Sequence, residues 1–309
     1  MPKIITITFS PCIDKSTSIP ALVSEKKLKC SAPKLEPGGG GINVARAIKK
    51  LGGEAIAIYP SGGYTGKHFN ALLSNEEVPA TIIESKNETR ENIVVLDESN
   101  DQQYRFGMPG TELLEQEWRK CIHTIEEIND VEFIIASGSL PPGVPLDIYA
   151  RLAVITKKKN AKLIVDTSGD ALKHAAKKGV YLLKPNLGEL SSLMDMAKIN
   201  ENQIEEIAQI AIQKGFCELL VISMGEKGAM LVTKNEIHQV IPPSVKRKST
   251  VGAGDSMVAG MVLALSQGRN LKTTLQYGVA CGTAATMNAG TELCRKEDVE
   301  KLFELIKKP

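Results

Sequence analysis

The chain has 309 residues, of which 42% are hydrophobic, 24% are charged and 4% are aromatic, and its formal net charge is +2. No basic block occurs and no apolar stretch approaches the length of a membrane span, so neither nucleic acid nor a membrane is an expected partner. The N-terminal "MPKIITITFS" lacks a secretion-signal pattern and predicts a first strand, so we expect a cytoplasmic protein.

Strand-like and helix-like patterns alternate along most of the chain. Apolar runs predict strands at 3–9, 54–59, 131–137, 161–166, 180–184 and 218–223. Apolar residues at i, i+3, i+4 spacing predict helices at 42–51, 145–159, 202–215, 254–267, 271–288 and 296–307. This alternation predicts one α/β domain over residues 1–309, with a mainly parallel sheet between two layers of helices.

Two segments, 12–36 and about 87–108, interrupt this alternation. They contain short alternating runs, such as "ENIVVLDE" and "QQYRFGM", with no helix between them. Such runs are typical of antiparallel strands, and they predict a small sheet that projects from the main domain.

Ligands of an open α/β sheet bind beyond the carboxyl ends of its strands, so residues that follow the predicted strands are candidates. Asp14 follows the first strand, although a lone Asp in a turn is commonly a local cap. The glycines at 38–41 run directly into a predicted helix, which favours a close backbone approach over a linker. Asn43, on the first turn of that helix, could reach a polyhydroxyl ligand or could simply be a helix residue.

The segment "LLKPNLGEL" (182–190) places Lys184, Asn186 and Glu189 directly after a strand. Asn186 and Glu189 are three residues apart and could hold a hydrated Mg²⁺ from one helix face. The same pair is also a common helix-capping arrangement, and the sequence leaves both interpretations open. The segment 222–231 is a strand, a glycine-containing loop and a second strand, which could border a nucleotide or form a plain hairpin.

The segment "TVGAGDSM" (250–257) precedes an apolar helix. The amides of Gly252, Ala253 and Gly254 would point out of the helix N-terminus and form an anion hole supported by the helix dipole. Asp255 lies in the first turn, where an acidic residue is favourable on any helix, and this simpler interpretation is favoured when the segment is considered alone.

Together, the motifs resemble the ribokinase-like (PfkB) sugar kinases from end to end. The matching segments are "GGGGINVARAI", "GSLPPG" (138–143), "KPNLGE" and "TVGAGDSMVAG". Within the family, "KLKCSAPKLEPGGGGINVARAIKKLGG" and "QQYRFGMPG" are most similar to members that phosphorylate fructose 6-phosphate. Kinases of tagatose 6-phosphate and of fructose 1-phosphate are near neighbours of that group.

The resemblance implies a three-layer α/β/α sandwich with a small β lid through which two chains form a homodimer. It implies transfer of the γ-phosphoryl group of MgATP to the C1 hydroxyl of fructose 6-phosphate, with K⁺ as a monovalent cation. In this interpretation Asp255 accepts the proton of the hydroxyl, and the amides of 252–254 stabilise the transferred group. The alternative from another class is a sugar-phosphate sensor, which would need no base.

The resemblance also implies roles for individual residues. The residues expected to bind sugar hydroxyls are Asp14, Gly38, Gly39 and Asn43. Those expected to bind the substrate's phosphate are Lys27 (from the partner's lid), Arg90 and Ser139. The nucleotide side would comprise Lys184, Asn186, Glu189, Ser223, Gly225, Gly228 and Thr250. Among these, Asn186 and Glu189 would hold Mg²⁺ through water. The monovalent cation would lie among Ser249, Val251, Ala285, Asn288 and Gly290, and Glu292 departs from the family pattern at its edge.

Overall fold

A nine-stranded sheet forms the centre of the computed structural model, which describes residues 3–308. Within this range the strands are β1 Lys3–Ile7, β2 Cys12–Ile19, β3 Lys34–Gly38, β4 Ile56–Ser61, β5 Ala80–Glu84, β6 Arg90–Asp97, β7 Gln102–Phe106, β8 Val131–Ser137, β9 Lys162–Asp166, β10 Val180–Leu183, β11 Cys217–Ser223, β12 Ala229–Val232 and β13 Ile237–Val240.

Ten α-helices accompany these strands in the same range. They are α1 Gly40–Lys50, α2 Gly63–Asn75, α3 Glu115–Glu127, α4 Ile148–Lys158, α5 Gly169–Lys178, α6 Leu187–Leu193, α7 Ile204–Gln213, α8 Ala253–Ser266, α9 Leu271–Thr286 and α10 Lys296–Lys307. None of the helices between residues 3 and 308 is both long and apolar enough to cross a membrane.

The central sheet has the order β13-β12-β11-β10-β9-β8-β1-β4-β5. All pairs from β5 to β11 are parallel, and β12 and β13 add an antiparallel edge. In β8, Phe133 and Ile135 pack into one hydrophobic cluster, while Ile134 and Ala136 pack into the other. Both faces of the sheet are therefore covered, which confirms the predicted three-layer α/β architecture.

The six predicted strands and six predicted helices are all present, with ends that differ by a few residues. Three further helices, α2, α3 and α5, and the strands β5 and β13 were not predicted, whereas α6 is the helix on which Asn186 and Glu189 were expected to act. Helix α8 is buried from Ser256 through Ala264, because it packs between α1 and α9. A helix that is enclosed on all sides needs apolar residues all round, which explains the continuous apolar run after Met257.

The second sheet has four strands in the order β3-β2-β6-β7, and we call it the lid. The predicted antiparallel arrangement is correct for β2–β3 and β6–β7. It is wrong for β2 and β6, which pair in parallel with Asp14 opposite Asn92. The reason is that α1, β4, α2 and β5 separate the two strands, and such a long crossover joins parallel strands where a hairpin would join antiparallel ones.

Candidate active site

The carboxyl ends of the central strands lie along one edge of the sheet. The chain leaves β1 toward β4 on one side, and β8 later joins β1 on the other side. A crevice for ligands forms at such a reversal of strand order. Most of the residues singled out in the sequence follow β1, β8, β10 or β11, or begin α1 and α8 at this edge.

The glycine run begins α1 and is not a linker. Gly39, with φ of 112°, is the N-cap, and the helix starts at Gly40. A Cβ atom on Gly38 would lie 2.1 Å from Oδ2 of Asp14, and one on Gly40 would lie 2.2 Å from Oγ of Ser137. The absence of a side chain at Gly38 therefore lets β3 lie against Asp14 within the lid, and its absence at Gly40 lets the start of α1 approach the end of β8.

Asp14 lies in β2 of the lid and is buried, with 7% of its surface exposed. Its Oδ1 accepts hydrogen bonds from Nδ2 of Asn92 over 3.0 Å and from Sγ of Cys12 over 3.4 Å. Burial raises the pKa of Asp14, and these two hydrogen bonds oppose that shift. Asn92 was not predicted, since a single Asn in an alternating run carries no distinctive signal.

Arg90 begins β6 and is linked to the same Asn92. Its guanidinium donates to Oδ1 of Asn92 over 3.3 Å, to the carbonyl of Met108 over 2.8 Å and to the carbonyl of Ser10 over 3.2 Å. Its Nε is buried and has no hydrogen-bond partner among the described residues. A buried donor without a partner is costly. Nη1 uses both of its N–H groups on Asn92 and Met108, whereas Nη2 keeps one N–H group beyond its contact with Ser10, and this group can donate to a ligand oxygen.

The other two residues predicted to hold a phosphate occupy different surroundings. Ser139 follows β8 at the crevice and is exposed. Lys27 is exposed in the segment that joins β2 and β3, and within residues 3–308 it makes no hydrogen bond or ion pair. Its predicted action in a partner's site stays a prediction.

Asp255 lies in the first turn of α8, directly after the glycine-containing loop. Gly252 is the N-cap and has φ of 72°, a left-handed conformation that glycine adopts without strain. Nδ2 of Asn43 donates to Oδ2 of Asp255 over 3.0 Å, so the starts of α1 and α8 meet at this carboxylate. Burial raises the pKa of Asp255 to about 7, and the negative charge of Asp166 adds to that shift. A carboxylate with this pKa suits a general base near neutral pH.

Lys184 is a buried cation beside the anion hole. Its Nζ lies 3.2 Å from Oδ1 of Asp166, and a Cβ atom on Gly254 would lie 3.5 Å from the same Nζ. Burial lowers the pKa of Lys184, but the attraction of Asp166 outweighs it, and the net pKa is raised. Asp166 was missed in the sequence, although an acid at the carboxyl end of the apolar run "KLIVD" was a usable signal.

Asn186 and Glu189 form the capping box of α6. The amide of Asn186 donates to Oε2 of Glu189 over 2.8 Å, and the amide of Glu189 donates to Oδ1 of Asn186 over 2.9 Å. The capping interpretation is therefore correct. The other carboxylate oxygen of Glu189 accepts no hydrogen bond from the described residues, so capping does not prevent an interaction with a hydrated cation.

A cavity of about 490 Å³ adjoins the anion hole. It is lined by six of the predicted residues, namely Ser223, Gly225, Gly228, Thr250, Ala253 and Gly254. Val245, Met257 and Val279 add apolar wall. Ligand pockets of about 300–1,000 Å³ accommodate small molecules such as a nucleotide. The hairpin β11–β12 thus forms both a sheet edge and one border of this cavity.

The residues predicted around a monovalent cation form two hydrogen-bonded groups. Oγ of Ser249 donates to the carbonyl of Gly290 over 2.7 Å and accepts from the amide of Val251 over 3.2 Å. The amide of Asn288 donates to the carbonyl of Ala285 over 3.2 Å. Backbone carbonyls and a hydroxyl are the oxygen ligands that suit K⁺, so these residues fit such an ion.

Glu292, which departs from the family pattern, is paired within the described residues. Its carboxylate accepts from Nζ of Lys34 over 3.3 Å and from Nε of Arg295 over 2.7 Å. The hydrogen bond from Arg295 is the main reason that the pKa of Glu292 is lowered. The charge introduced at this position is therefore compensated by two neighbouring cations.

The lid touches the loop that precedes the anion hole. Nη2 of Arg105, in β7, donates to Oγ1 of Thr250 over 2.6 Å. Oγ of Ser249 donates to Oε1 of Gln103, also in β7, over 3.2 Å. Neither lid residue was predicted as part of the site, because the contact joins positions about 145 residues apart and leaves no local pattern.

Comparison with known proteins assigns this arrangement to a family. A sequence model described as pfkB family carbohydrate kinase matches residues 6–298. The chain belongs to this family. It is accordingly a phosphotransferase, and the resemblance of the four sequence motifs is confirmed.

One curated protein and two crystal structures are similar to this kinase over nearly its whole length. The ATP-dependent 6-phosphofructokinase isozyme 2 of Escherichia coli (strain K12) is 44% identical over 304 residues, which cover 98% of each chain. A crystal structure of Escherichia coli phosphofructokinase-2 with substrates and products matches with a TM-score of 0.96 at 43% identity, covering 99% of this kinase and all of that chain. A structure of that protein with potassium matches at 44% identity with the same TM-score and covers both chains completely.

Proposed function

We propose that the chain is an ATP-dependent 6-phosphofructokinase that converts fructose 6-phosphate to fructose 1,6-bisphosphate. The position of Asp255 carries this proposal. Its carboxylate follows Ala253 and Gly254, which line the nucleotide-sized cavity, and it is close enough to the lid residue Asp14 for that charge to raise its pKa. A sensor needs no buried carboxylate held at this boundary, whereas a kinase needs a base there.

The chemistry assigned to Asp255 is proton transfer. Its ionised carboxylate accepts the proton of the C1 hydroxyl as that oxygen attacks the γ-phosphorus of ATP. One O–P bond forms, the bond from the γ-phosphorus to the β,γ-bridging oxygen breaks, and ADP leaves with that oxygen. The amides at 252–254 lie at the N-terminus of α8 and stabilise the charge on the transferred group.

Lys184 offsets the repulsion between Asp255 and the phosphates of ATP. It is buried beside Gly254, and its raised pKa keeps it protonated at neutral pH. Asn186, Glu189 and Asp166 fit a hydrated Mg²⁺, which when bound neutralises charge on the β- and γ-phosphates. All three residues offer side-chain oxygens, and both Asp166 and Glu189 lie close enough to the buried Lys184 to raise its pKa.

Arg90 supports a phosphorylated acceptor. Its two terminal nitrogens are anchored by Met108 and Ser10, so the guanidinium is fixed in position, and such a group binds phosphate with charge-assisted hydrogen bonds. Lys27 of a second chain completes the phosphate site in this proposal, with the lids joined in a homodimer. Ile93 and Phe106 leave apolar surface exposed on the lid, which suits that pairing.

A monovalent cation, with K⁺ as the physiological ion, belongs to the same proposal. Ser249 touches the lid residue Gln103 on one side and the carbonyl of Gly290 on the other. Residue 249 lies three residues before the N-cap of α8. A cation at this position therefore supports the loop that forms the anion hole.

The experiment is a coupled assay of ADP release. Values of kcat/KM are measured for fructose 6-phosphate, tagatose 6-phosphate and fructose 1-phosphate, each in K⁺ and in Na⁺ buffers. We expect the highest value for fructose 6-phosphate with K⁺. A higher value for either other sugar phosphate would assign that substrate. Binding of fructose 6-phosphate without turnover by wild type would favour the sensor.

A further inference from the structure

Arg46 is a fully buried charged side chain on α1, with 1% of its surface exposed. Its Nη1 donates to the carbonyl of Pro37 over 2.6 Å and to Oδ1 of Asn43 over 3.3 Å. Its Nη2 donates to Oε1 of Glu76 over 2.6 Å and to Oε1 of Glu36 over 3.4 Å. A buried cation is tolerated when its donors are satisfied in this way, and Arg46 has no contact with the cavity.

The contact with Asn43 fixes the orientation of that amide. A guanidinium has donors and no acceptor, so the side of the Asn43 amide that faces Arg46 must be its oxygen. The nitrogen then faces Asp255, to which it donates over 3.0 Å. With the amide reversed, its oxygen would face an ionised carboxylate, and two acceptors without a proton between them repel each other.

We propose that Arg46 is a positioning residue for the general base, because it holds the Asn43 amide with its N–H group toward Asp255. This inference rests on the proposed function, in which Asp255 is that base. Arg46 itself touches neither ligand site, and its hydrogen-bonded connection to Asp255 runs through Asn43.

The anchors of Arg46 explain how it is held. Glu36 and Pro37 belong to β3 of the lid, and Glu76 follows α2. Oε2 of Glu36 accepts from Oγ1 of Thr291, and Lys34 lies 3.3 Å from its Oε1. The orientation of the Asn43 amide is therefore connected to the lid strand that also carries Gly38.

Other charges act on Asp255 and must be kept constant in a test. The groups that face it from neighbouring elements are Asp166, Lys184, Asp14 and the thiol of Cys12. None of them is hydrogen-bonded to Arg46, but the charge of Arg46 lowers the pKa of Asp14, so the primary variant must retain that charge.

The test is the pH dependence of kcat/KM in the full-length enzyme, together with the titration of the Asp255 carboxyl carbon by ¹³C NMR. Arg46→Lys retains the charge toward Glu36 and Glu76 but lacks the fork that reaches Asn43. We expect two midpoints to rise by about one pH unit, namely that of the fall in kcat/KM at low pH (the acid limb) and that of the carboxyl titration. Loss of a hydrogen bond to an ionised group requires this shift. Arg46→Gln is a second variant, should the first fail to fold; it also removes the charge that acts on Asp14, so a shift in the same direction is expected.

Two controls separate positioning from a general loss of structure. Glu76→Gln weakens the outer anchor of Arg46 without touching Asn43, so it should lower the melting temperature and leave the acid limb in place. In an Asn43→Ala background the limb is already shifted, and Arg46→Lys should shift it no further.

Three results would overturn the inference: an unshifted limb in both Arg46 variants, an equal shift with Glu76→Gln, or a full additional shift in the Asn43→Ala background. Failure of the proposed function is recognised separately. If Asp255→Asn retains turnover, the assignment of the base is wrong. If Asp255→Asn is inactive while the Arg46 variants keep the wild-type limb, only the role of Arg46 is wrong.

Discussion

Nζ of Lys184 lies 3.2 Å from Oδ1 of Asp166, and this buried ion pair lies beside Gly254 at the start of α8. Lys184 of this pair places a fixed positive charge beside the anion hole, and that charge does not depend on a bound ion. It also places the unpredicted Asp166 close enough to Asp255 to raise the pKa of that carboxyl. One short contact therefore affects both the phosphoryl group and the base.

Replacement of the lysine tests this relationship. Lys184→Met should lower kcat by roughly 10²–10³-fold, because it removes a preorganised charge at the transferred group. It should also lower the free energy of unfolding by about 3 kcal/mol, since Asp166 loses its partner. In the matched double variant Lys184→Met/Asp166→Asn, the free energy of unfolding should return toward the wild-type value while kcat stays low. Recovery of turnover as well would mean that Lys184 only balances Asp166.

Arg90→Ala should raise KM for fructose 6-phosphate by roughly 10- to 100-fold, which is the effect of losing hydrogen bonds of about 1.5–3 kcal/mol to a charged group. KM for ATP should change little, because Arg90 contacts Ser10 and Met108 and not the cavity. Arg90→Lys keeps the charge but lacks the forked donors, so its KM for fructose 6-phosphate should lie between those of wild type and Arg90→Ala. Equal increases in both KM values would place the substrate's phosphate elsewhere.

Gly38→Ala tests the close approach of β3 to Asp14 of β2 within the lid. The added Cβ would lie 2.1 Å from Oδ2 of Asp14, so the carboxylate must move out of its hydrogen bond with Asn92. We expect KM for the sugar phosphate to rise at least tenfold, equivalent to about 1.4 kcal/mol. Gly107→Ala is the matched control in the segment after β7, because a Cβ there meets nothing within 4 Å. Similar kinetics for the two variants would contradict the prediction.

The acid limb of the pH profile follows from Asp255. Since its pKa is raised to about 7, kcat/KM should fall about tenfold per pH unit below that value as the carboxylate is protonated. The residual activity of Asp255→Asn should lack this limb and be lower by roughly 10²–10⁴-fold at pH 8. A limb that persists in the variant would belong to the substrate's phosphate, whose second pKa is about 6.

The central strands could be predicted because they are buried on both faces, which makes runs such as Phe133–Ala136 apolar throughout. Helix α3 was missed although Trp118, Cys121 and Ile125 mark its buried face, since charged residues fill the rest of its sequence. The parallel pairing of β2 with β6 depends on register across a crossover of some 70 residues. No local pattern specifies such a pairing.

Within the site, residues at strand ends and in glycine-rich turns could be predicted from position alone. Asp166, at the end of β9, carried the same positional signal and was overlooked, whereas Asn92 and Arg46 could not be predicted, because each acts through a partner that is distant in sequence or through burial. An Arg in an amphipathic helix is expected to be exposed, and only the surrounding Glu36 and Glu76 permit its burial. Arg105 was missed for the same reason, because its contact with Thr250 joins the lid to a residue that is distant in sequence.

The buried, ionisable Asp255 should lower the free energy of unfolding at neutral pH. Its pKa in the folded chain is about 7, above the ordinary value for Asp, so the folded state binds the proton more tightly than the unfolded state. Stability attributable to this residue is therefore lost as pH rises from about 4 to about 7, by up to ~4 kcal/mol. Asp255→Asn carries no charge and should unfold at a higher temperature than wild type. Between pH 5 and pH 8, the difference in melting temperature between Asp255→Asn and wild type should widen up to about pH 7 and then stay constant. A gap that is independent of pH would mean that Asp255 is ionised in the folded enzyme throughout this range.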